Sequence, residues 1–173
     1  TVTTYSGSTK IGSAVSKNFT LTVPASVVPT IGSVAVTDTT THQATFGNMV
    51  QSKSKPKWTI TASGALGSTI KTYKTEFEGK SYSGATPTGS AITGSGTVTA
   101  KITVTDSRGR TATTNKTWTV GAYSAPKIIS FQGFRCLADG TENYEGTYIS
   151  AAVNFSVSPV NSKNTASYTI EYK

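Results

Sequence analysis

The sequence has 173 residues and a formal net charge of +8, with 16 Lys and Arg residues against 8 Asp and Glu residues. Its single Cys excludes a disulfide framework and a cysteine-based zinc site, and its single His excludes a multi-histidine metal site. No stretch reaches the about 18 consecutive apolar residues of a membrane helix, so we expect no membrane insertion, and no cofactor is predicted.

Short runs of alternating apolar and polar residues follow one another along the chain and predict β-strands. The first run places Phe19, Leu21 and Val23 between threonines, a central run covers 98–104, and a third covers 149–157. Successive side chains of a strand point to opposite faces, so each run has one apolar and one solvent-exposed face. Because Gly, Ser and Asn bound the runs and helical periodicity is nearly absent, we predict an all-β fold of antiparallel sheets packed as a sandwich.

The clearest local feature is a hairpin around Asp106-Ser107-Arg108-Gly109. Asp and Ser favour the start of a tight turn, and Gly109 can adopt the left-handed conformation that closes one. A strand that ends at Thr105 is therefore predicted to return as a second strand from Arg110 to Val120.

The sequence also repeats itself at a long interval. The segment 22–31 resembles the segment 119–128, which lies 97 residues further on (119 − 22), and both contain a Thr-Val pair and a Pro-x-Ile triplet. Downstream, Trp58-Thr59-Ile60 is echoed by Tyr168-Thr169-Ile170. A period near one hundred residues is about the length of one immunoglobulin-type sandwich.

This repeat predicts domain boundaries, because Pro fixes φ in each joining segment and stops the preceding strand there. Residues 1–24 are expected to be the final strands of one immunoglobulin-like module. Residues 25–121 are expected to form a complete module, and residues 122–173 the first part of a following one. The sequence is therefore expected to be a fragment of a longer chain of tandem modules.

The charge excess favours acidic partners such as nucleic acid, anionic cell-wall polymers or lipid surfaces. Nucleic acid is not expected, because only three Arg residues and no basic helix are present. Lysines are concentrated between positions 53 and 80, close to three aromatic residues. Aromatic faces can stack on sugar rings and Lys can pair with phosphate groups, so a wall-polymer contact is predicted at Lys53, Lys55, Lys57, Lys71, Tyr73, Lys74 and Tyr82.

Another interpretation of the same residues stays open: the lysines keep the sheets soluble, and the rings pack within the sandwich. Trp58 and Trp118 are predicted to lie in the core of the central module. Cys136 is predicted to be a free, buried thiol.

Candidate catalytic groups are sparse, and no enzyme activity is predicted. His42 is the only imidazole, and it is expected to lie in a surface loop among threonines. The acidic pairs Glu76 with Glu78 and Glu142 with Glu145 fit solvent-exposed positions better than an acid–base pair at one cleft.

One stretch of the sequence resembles a known family. The segment 134–141, Phe-Arg-Cys-Leu-Ala-Asp-Gly-Thr, leads to Gly146-Thr147-Tyr148, and it follows a Tyr-Ser-Ala-Pro linker and the Thr-Asp-Ser-Arg-Gly-Arg hairpin. This order resembles minor structural proteins from the tails of siphophages that infect Gram-positive bacteria. The match is good over about residues 96–173, and its motifs are structural turns rather than catalytic sites. Asp139-Gly140 and Glu145-Gly146 would then form turns that project a loop.

The resemblance implies a virion tail protein that is made in the bacterial cytoplasm and built from tandem immunoglobulin-like modules. It implies assembly with other phage tail or baseplate proteins in an oligomeric particle, attachment to the host cell surface with wall polysaccharide as a partner, and no catalytic residue or cofactor. The alternative is a bacterial surface adhesin, or the wall- or carbohydrate-binding module of a secreted protein.

Overall fold

The computed structural model describes residues 1–171, and these residues form an all-β structure. The strands are β1 (Val2–Ser6), β2 (Thr9–Val15), β3 (Thr30–Asp38), β4 (Met49–Val50), β5 (Pro56–Ser63), β6 (Ile70–Phe77), β7 (Lys80–Ser83), β8 (Gly96–Asp106), β9 (Thr111–Gly121), β10 (Lys127–Cys136) and β11 (Tyr148–Ser156). One short helix, α1 (His42–Phe46), and one 3₁₀ turn (Val160–Ser162) complete the regular structure of this part of the chain.

The largest sheet has five strands in the order β4-β9-β8-β6-β7. Its neighbours are antiparallel except for β4, which runs parallel to the end of β9. The strands β3 and β5 form a second sheet, which an irregular segment at residues 85–89 extends. There the amides of Ile60 and Trp58 donate to the carbonyl oxygens of Ala85 and Pro87 at 2.9 and 3.0 Å.

The two sheets enclose one hydrophobic core. Trp58 and Ile60 of β5 pack there with Ile102 and Val104 of β8, and all four side chains are almost fully buried. Strand alternation explains this burial. Buried and exposed side chains alternate along most of β5 and at the centre of β8, so each strand turns one face toward the core. Residues 30–121 therefore form an immunoglobulin-like β-sandwich, with no disulfide among them, as the sequence predicts.

The aromatic residues of the core interlock around Trp58. Its ring centroid lies 5.6 Å from that of Phe77, 5.5 Å from that of Tyr82 and 6.2 Å from that of Trp118. The prediction that Trp58 and Trp118 lie in the core is confirmed, with Trp58 fully buried and Trp118 partly buried.

The predicted hairpin is confirmed at the junction of β8 and β9. Gly109 has a φ of 80°, and its amide donates to the carbonyl oxygen of Asp106 at 3.0 Å. The ladder then runs without a break from Thr105 opposite Thr111 to Gly96 opposite Val120.

The strand predicted at Phe19–Val23 is wrong. The N-terminal hairpin consists of β1 and β2, and residues 16–24 are in no strand. Phe19 and Leu21 are 82% and 88% exposed. Alternation shows which face a strand would bury, but a strand also needs a neighbour for its backbone groups, and the described residues supply none here.

The hairpin β10–β11 reproduces an irregularity of the pair β3–β5. The register of β3 shifts between Ile31 and Ser33, and that of β10 shifts between Ile128 and Ser130, at the same interval of 97 residues (128 − 31). The repeat of Trp58-Thr59-Ile60 at Tyr168–Ile170 is not reproduced, because 168–170 lie in no strand. The strand that corresponds to β5 by its pairing is β11.

Candidate functional site

The outer face of the five-stranded sheet is its most regular exposed surface. Facing pairs of β8 and β9 place threonine opposite threonine at 97 and 119, 99 and 117, 103 and 113, and 105 and 111. Lys101 lies between these pairs, opposite Asn115 on one side and Glu76 on the other. This face is polar, and it is solvated as one face of an antiparallel sheet commonly is.

Two lysines give this outer face its charge. Lys74 donates from Nζ to Oε1 of Glu76 at 2.7 Å, and both side chains are substantially exposed. The hydrogen bond from Lys74, with the charges of Lys74 and Lys101, lowers the pKa of Glu76 against a smaller effect of burial. Glu76 is paired with Lys74 and also lies opposite Lys101 of β8, so Lys101 is the second positive charge beside this carboxylate.

The structure does not bring all the predicted lysines together. Lys74 is next to Thr75, which is buried, so Lys74 points out of the five-stranded sheet. Lys57 is next to Trp58, so it points out of the β3–β5 sheet on the opposite side of the sandwich. Lys71 is exposed at the β6 bulge, on the strand of Lys74.

The remaining two lysines lie in the loop before β5. Lys53 and Lys55 are exposed, and Nζ of Lys53 lies 5.1 Å from the ring centroid of Tyr123. That distance is a cation–π contact with the segment that follows β9, so Lys53 belongs to the junction with residues 122–171.

The two predicted tyrosines face inward. Tyr73 pairs with buried Val104 and packs on the core, and Tyr82 pairs with buried Thr75. The hydroxyl of Tyr82 accepts a hydrogen bond from the amide of Ser90 at 3.2 Å. These rings are packed within the sandwich and do not share an exposed face with Lys74.

The first acidic pair, Glu76 and Glu78, is held by structural contacts. Glu78 lies beyond the end of β6 in a tight turn with a φ of 47°, so it does not share a strand face with Glu76. Its carboxylate accepts hydrogen bonds from the amides of Thr93 and Gly94, and the shortest of these bonds is 2.7 Å.

His42, the single imidazole, is the first residue of α1, and its Nδ1 forms a hydrogen bond with the hydroxyl of Thr40 at 2.7 Å.

The turn between β8 and β9 contains a buried carboxylate and two arginines. Asp106 is fully buried, and its Oδ1 accepts the amides of Arg108 and Arg110 at 2.9 and 2.8 Å. Burial raises the pKa of Asp106, but the hydrogen bonds from the backbone amides of Arg110 and Arg108 and the Arg108 charge outweigh it, so the pKa is lowered. The ionised carboxylate thereby fixes the backbone that presents both arginines.

The loop between β10 and β11 contains the two predicted turns. The amide of Gly140 donates to the carbonyl oxygen of Leu137, and that of Gly146 donates to Asn143, both at 3.0 Å. A Cβ at position 146 would overlap the backbone of Cys136. Cys136 is a free, buried thiol, as predicted.

An apolar groove of about 850 Å³ lies between the β10–β11 hairpin and residues 164–171. Phe131, Val153 and Phe155 line it from the hairpin, and the ring of Tyr168 lies 5.4 Å from that of Phe155.

Residues 1–171 contain no cluster of three His, Cys, Asp or Glu side chains that could hold a metal ion. No helix in the same range has the length and hydrophobicity needed to cross a membrane.

A protein-family model described as "Siphovirus protein of unknown function (DUF859)" matches residues 1–172. The chain belongs to this siphovirus family. The siphophage resemblance that the motifs indicate is thereby confirmed. A comparison with curated proteins gives no match.

Among solved structures, this siphovirus protein is similar to the crystal structure of the PKD1 domain of Vibrio anguillarum Epp. The TM-score is 0.39 and the identity 21%, over 54% of this chain and 93% of that chain.

Sequence analysis of the siphovirus protein missed the contacts of Arg108 and Arg110. It identified their hairpin as a turn, but the partners of the two side chains lie 42 or more residues away in sequence. Only the spacing Asp-x-Arg-x-Arg, which puts two guanidinium groups on one turn, could have indicated them.

Proposed function

We propose that this siphovirus protein is a non-enzymatic structural component of the virion tail, located at the tail tip, where its immunoglobulin-like modules aid attachment to the host surface. The observation that carries the proposal is the family match over residues 1–172 on a chain whose centre is a disulfide-free immunoglobulin-like sandwich. The cytoplasm of a bacterial host is reducing, and a sandwich stabilised by its core folds there without disulfides.

The proposal includes the tandem arrangement, with modules at 1–24, 25–121 and 122–173. The repeated register shift supports it, since β10–β11 begins as β3–β5 does. The same hairpin exposes Ile128 and Phe131 at 67% and 56%, whereas the face of β3–β5 is covered by a second sheet. An apolar hairpin of this kind is suited to being one layer of a sandwich.

The proposed partners are other tail or baseplate proteins in an oligomeric assembly, and host wall polysaccharide. For the wall contact, the outer face of the five-stranded sheet is the better of the two lysine surfaces. It combines Lys74 and Lys101, with Lys71 exposed at the adjoining β6 bulge, and rows of threonine hydroxyls; the lysines can pair with anionic groups and the hydroxyls can hydrogen-bond to sugars.

Immunogold electron microscopy of intact particles tests the location. Antibodies raised against the purified chain should label the end of the tail furthest from the capsid. Label confined to the capsid, or absence of the chain from purified particles by mass spectrometry, would reject the tail assignment.

Retention of the purified chain on host cell walls tests the attachment role, and the two lysine surfaces serve as matched variants. Replacing Lys71, Lys74 and Lys101 with Gln should abolish retention, whereas replacing Lys53, Lys55 and Lys57 with Gln should leave most of it. Retention should also weaken with added salt. If both triple variants bind as the wild type does, neither lysine surface contacts the wall.

The alternative, a bacterial adhesin or a wall-binding module of a secreted protein, predicts the chain on bacterial surfaces in the absence of phage particles. The siphovirus family match favours the virion. Immunoblots of uninfected host cells and of purified particles distinguish the two.

A further inference from the structure

The β8–β9 turn binds the segment that leads into the central sandwich. Arg110 donates from Nη1 to the carbonyl oxygen of Val27 at 2.9 Å, and from Nη2 to the carbonyl oxygen of Val23. The segment is itself folded, since the amide of Val27 donates to the carbonyl oxygen of Pro24 at 3.0 Å. A planar guanidinium can hold two acceptors in a fixed geometry, which a lysine cannot do.

The entering segment offers acceptors that no strand uses. Residues 16–29 are in no strand, and Pro24 and Pro29 have no amide hydrogen with which to join a ladder. Carbonyl groups in such a segment need donors from elsewhere, and Arg110 supplies two of them.

The neighbouring arginine holds a different segment. Arg108 donates from its two terminal nitrogens to the carbonyl oxygens of Ala65 and Leu66 at 2.8 and 2.5 Å. Asp106 fixes the backbone amides of both arginines. One turn therefore presents two guanidinium groups, one to a loop of the sandwich and one to the segment before it.

We propose that the β8–β9 turn is a linker lock, formed by Asp106 and Arg110, in which Arg110 binds the carbonyl groups of a proline-containing segment that is in no strand. The occupant is residues 23–27 of the same chain, and the lock fixes the direction in which the preceding residues enter the sandwich. This role depends on the geometry of the turn and not on the place of the protein in the virion.

Amide hydrogen exchange by NMR on the full 173-residue chain tests the lock at single residues. The variant Arg110→Gln should speed exchange of the Val27 amide by about tenfold or more, because the turn at Pro24 loses its anchor. The Ser68 amide, which donates to Ala65, should keep its wild-type rate. Arg108→Gln is the matched control and should have the reverse effect, faster at Ser68 and unchanged at Val27.

Protection of the β8–β9 ladder shows that each variant is folded. If Arg110→Gln unfolds the chain, Arg110→Lys replaces it, and exchange at Val27 should then rise by a smaller factor because one donor contact remains. A Val27 rate unchanged in a folded Arg110 variant, or accelerated equally by Arg108→Gln, would overturn the proposal.

Discussion

Arg110 and Val27 are joined by a hydrogen bond of 2.9 Å although 83 positions separate them in sequence. The bond places the entry of the central sandwich beside the turn where β9 begins. The chain leaves that sandwich at Gly121, at the far end of β9, which is about 35 Å away for an eleven-residue strand. Entry and exit therefore lie at opposite ends of the sandwich.

The residues that follow Gly121 are also packed against the central sandwich. The amide of Tyr123 donates to Oε1 of Gln51 at 3.2 Å, and Asn161 donates from Nδ2 to the carbonyl oxygen of Phe46 at 2.7 Å. Val160 is buried to 4% exposure at the same junction. Both ends of the sandwich therefore hold the adjoining segments by specific contacts.

Asp106→Ala should destabilise the central sandwich strongly. The carboxylate is buried and accepts two backbone amides, which the variant would leave without their acceptor. The urea midpoint, followed by tryptophan fluorescence, should fall clearly.

Asp139→Ala is its matched control, because Asp139 also accepts an amide two residues on, that of Thr141 at 2.9 Å, but in an exposed loop. That variant should leave the midpoint nearly unchanged. Equal shifts in the two variants would contradict the structural role assigned to the buried turn.

Trp58→Ala should cost about 3–5 kcal/mol of unfolding free energy, since a fully buried ring is removed from between Phe77, Tyr82 and Trp118. Trp58→Phe should cost much less. Its smaller ring leaves a cavity, but the buried Nε1 of Trp58 has no hydrogen-bond partner among the described residues, and that unfavourable group is removed. The free energy of unfolding is measured by urea titration of Trp118 fluorescence. Equal losses in the two variants would show that the missing ring volume does not account for most of the lost stability.

Several features of the fold could be predicted because they depend on neighbours in sequence. The β8 strand and its turn follow from alternation and from Gly109, and Trp58 belongs to a buried–exposed alternation. The same local rule failed at Phe19–Val23, since no sequence pattern states whether a partner strand is present. It also could not find the segment at 85–89, which extends a sheet through three irregular bonds, because Ala85, Pro87 and Gly89 are residue types that are depleted in strands.

The candidate site was predicted less well because it depends on which sheet each strand joins. Lys57 and Lys74 are 17 residues apart (74 − 57), yet they point out of opposite sides of the sandwich. Tyr82 sits among lysines in sequence but packs against Trp58 in space. Sequence spacing gives the face of one strand, and only pairing between strands combines faces into a surface.

Gly146→Ala should destabilise the loop between β10 and β11, because the added Cβ would collide with the backbone of Cys136 rather than with a flexible side chain. We then expect a maleimide reagent to label the Cys136 thiol faster than in the wild type, because the loop covers this buried thiol. Gly133→Ala in β10 is the control, since its Cβ would meet only ordinary contacts at 3.7 Å. Labelling equally fast in both variants would contradict this role of Gly146.

Val160→Ala should weaken the packing of the C-terminal segment on the central sandwich by about 1–2 kcal/mol, from the apolar area that is lost. The amide of Lys163, which donates to the carbonyl oxygen of Val160, should then exchange faster, while the β8–β9 ladder keeps its protection. Val157→Ala on the same segment is the comparison, because Val157 is 36% exposed and should have a smaller effect. Loss of ladder protection in Val160→Ala would mean that the two regions do not unfold separately.

Asp38 should make the stability of the sandwich depend on acid pH. Burial raises its pKa, but hydrogen bonds from Ser54, Thr40 and Lys55 outweigh it, so the folded pKa lies below the ordinary 3.8. The unfolded chain therefore binds the proton more readily. The stabilising contribution is complete well above pH 3.8 and is lost as the pH falls through the folded pKa.

The variant Asp38→Asn isolates this contribution from those of the other carboxylates. It should be less stable than the wild type at pH 7, because a neutral amide cannot replace both oxygens that accept from Ser54 at 2.6 Å and from Lys55 at 3.1 Å. The difference in urea midpoint between the two proteins should shrink progressively from pH 5 to pH 2.5. A difference that stays constant over this range would mean that Asp38 is protonated equally in the folded and unfolded states, contrary to the lowered pKa.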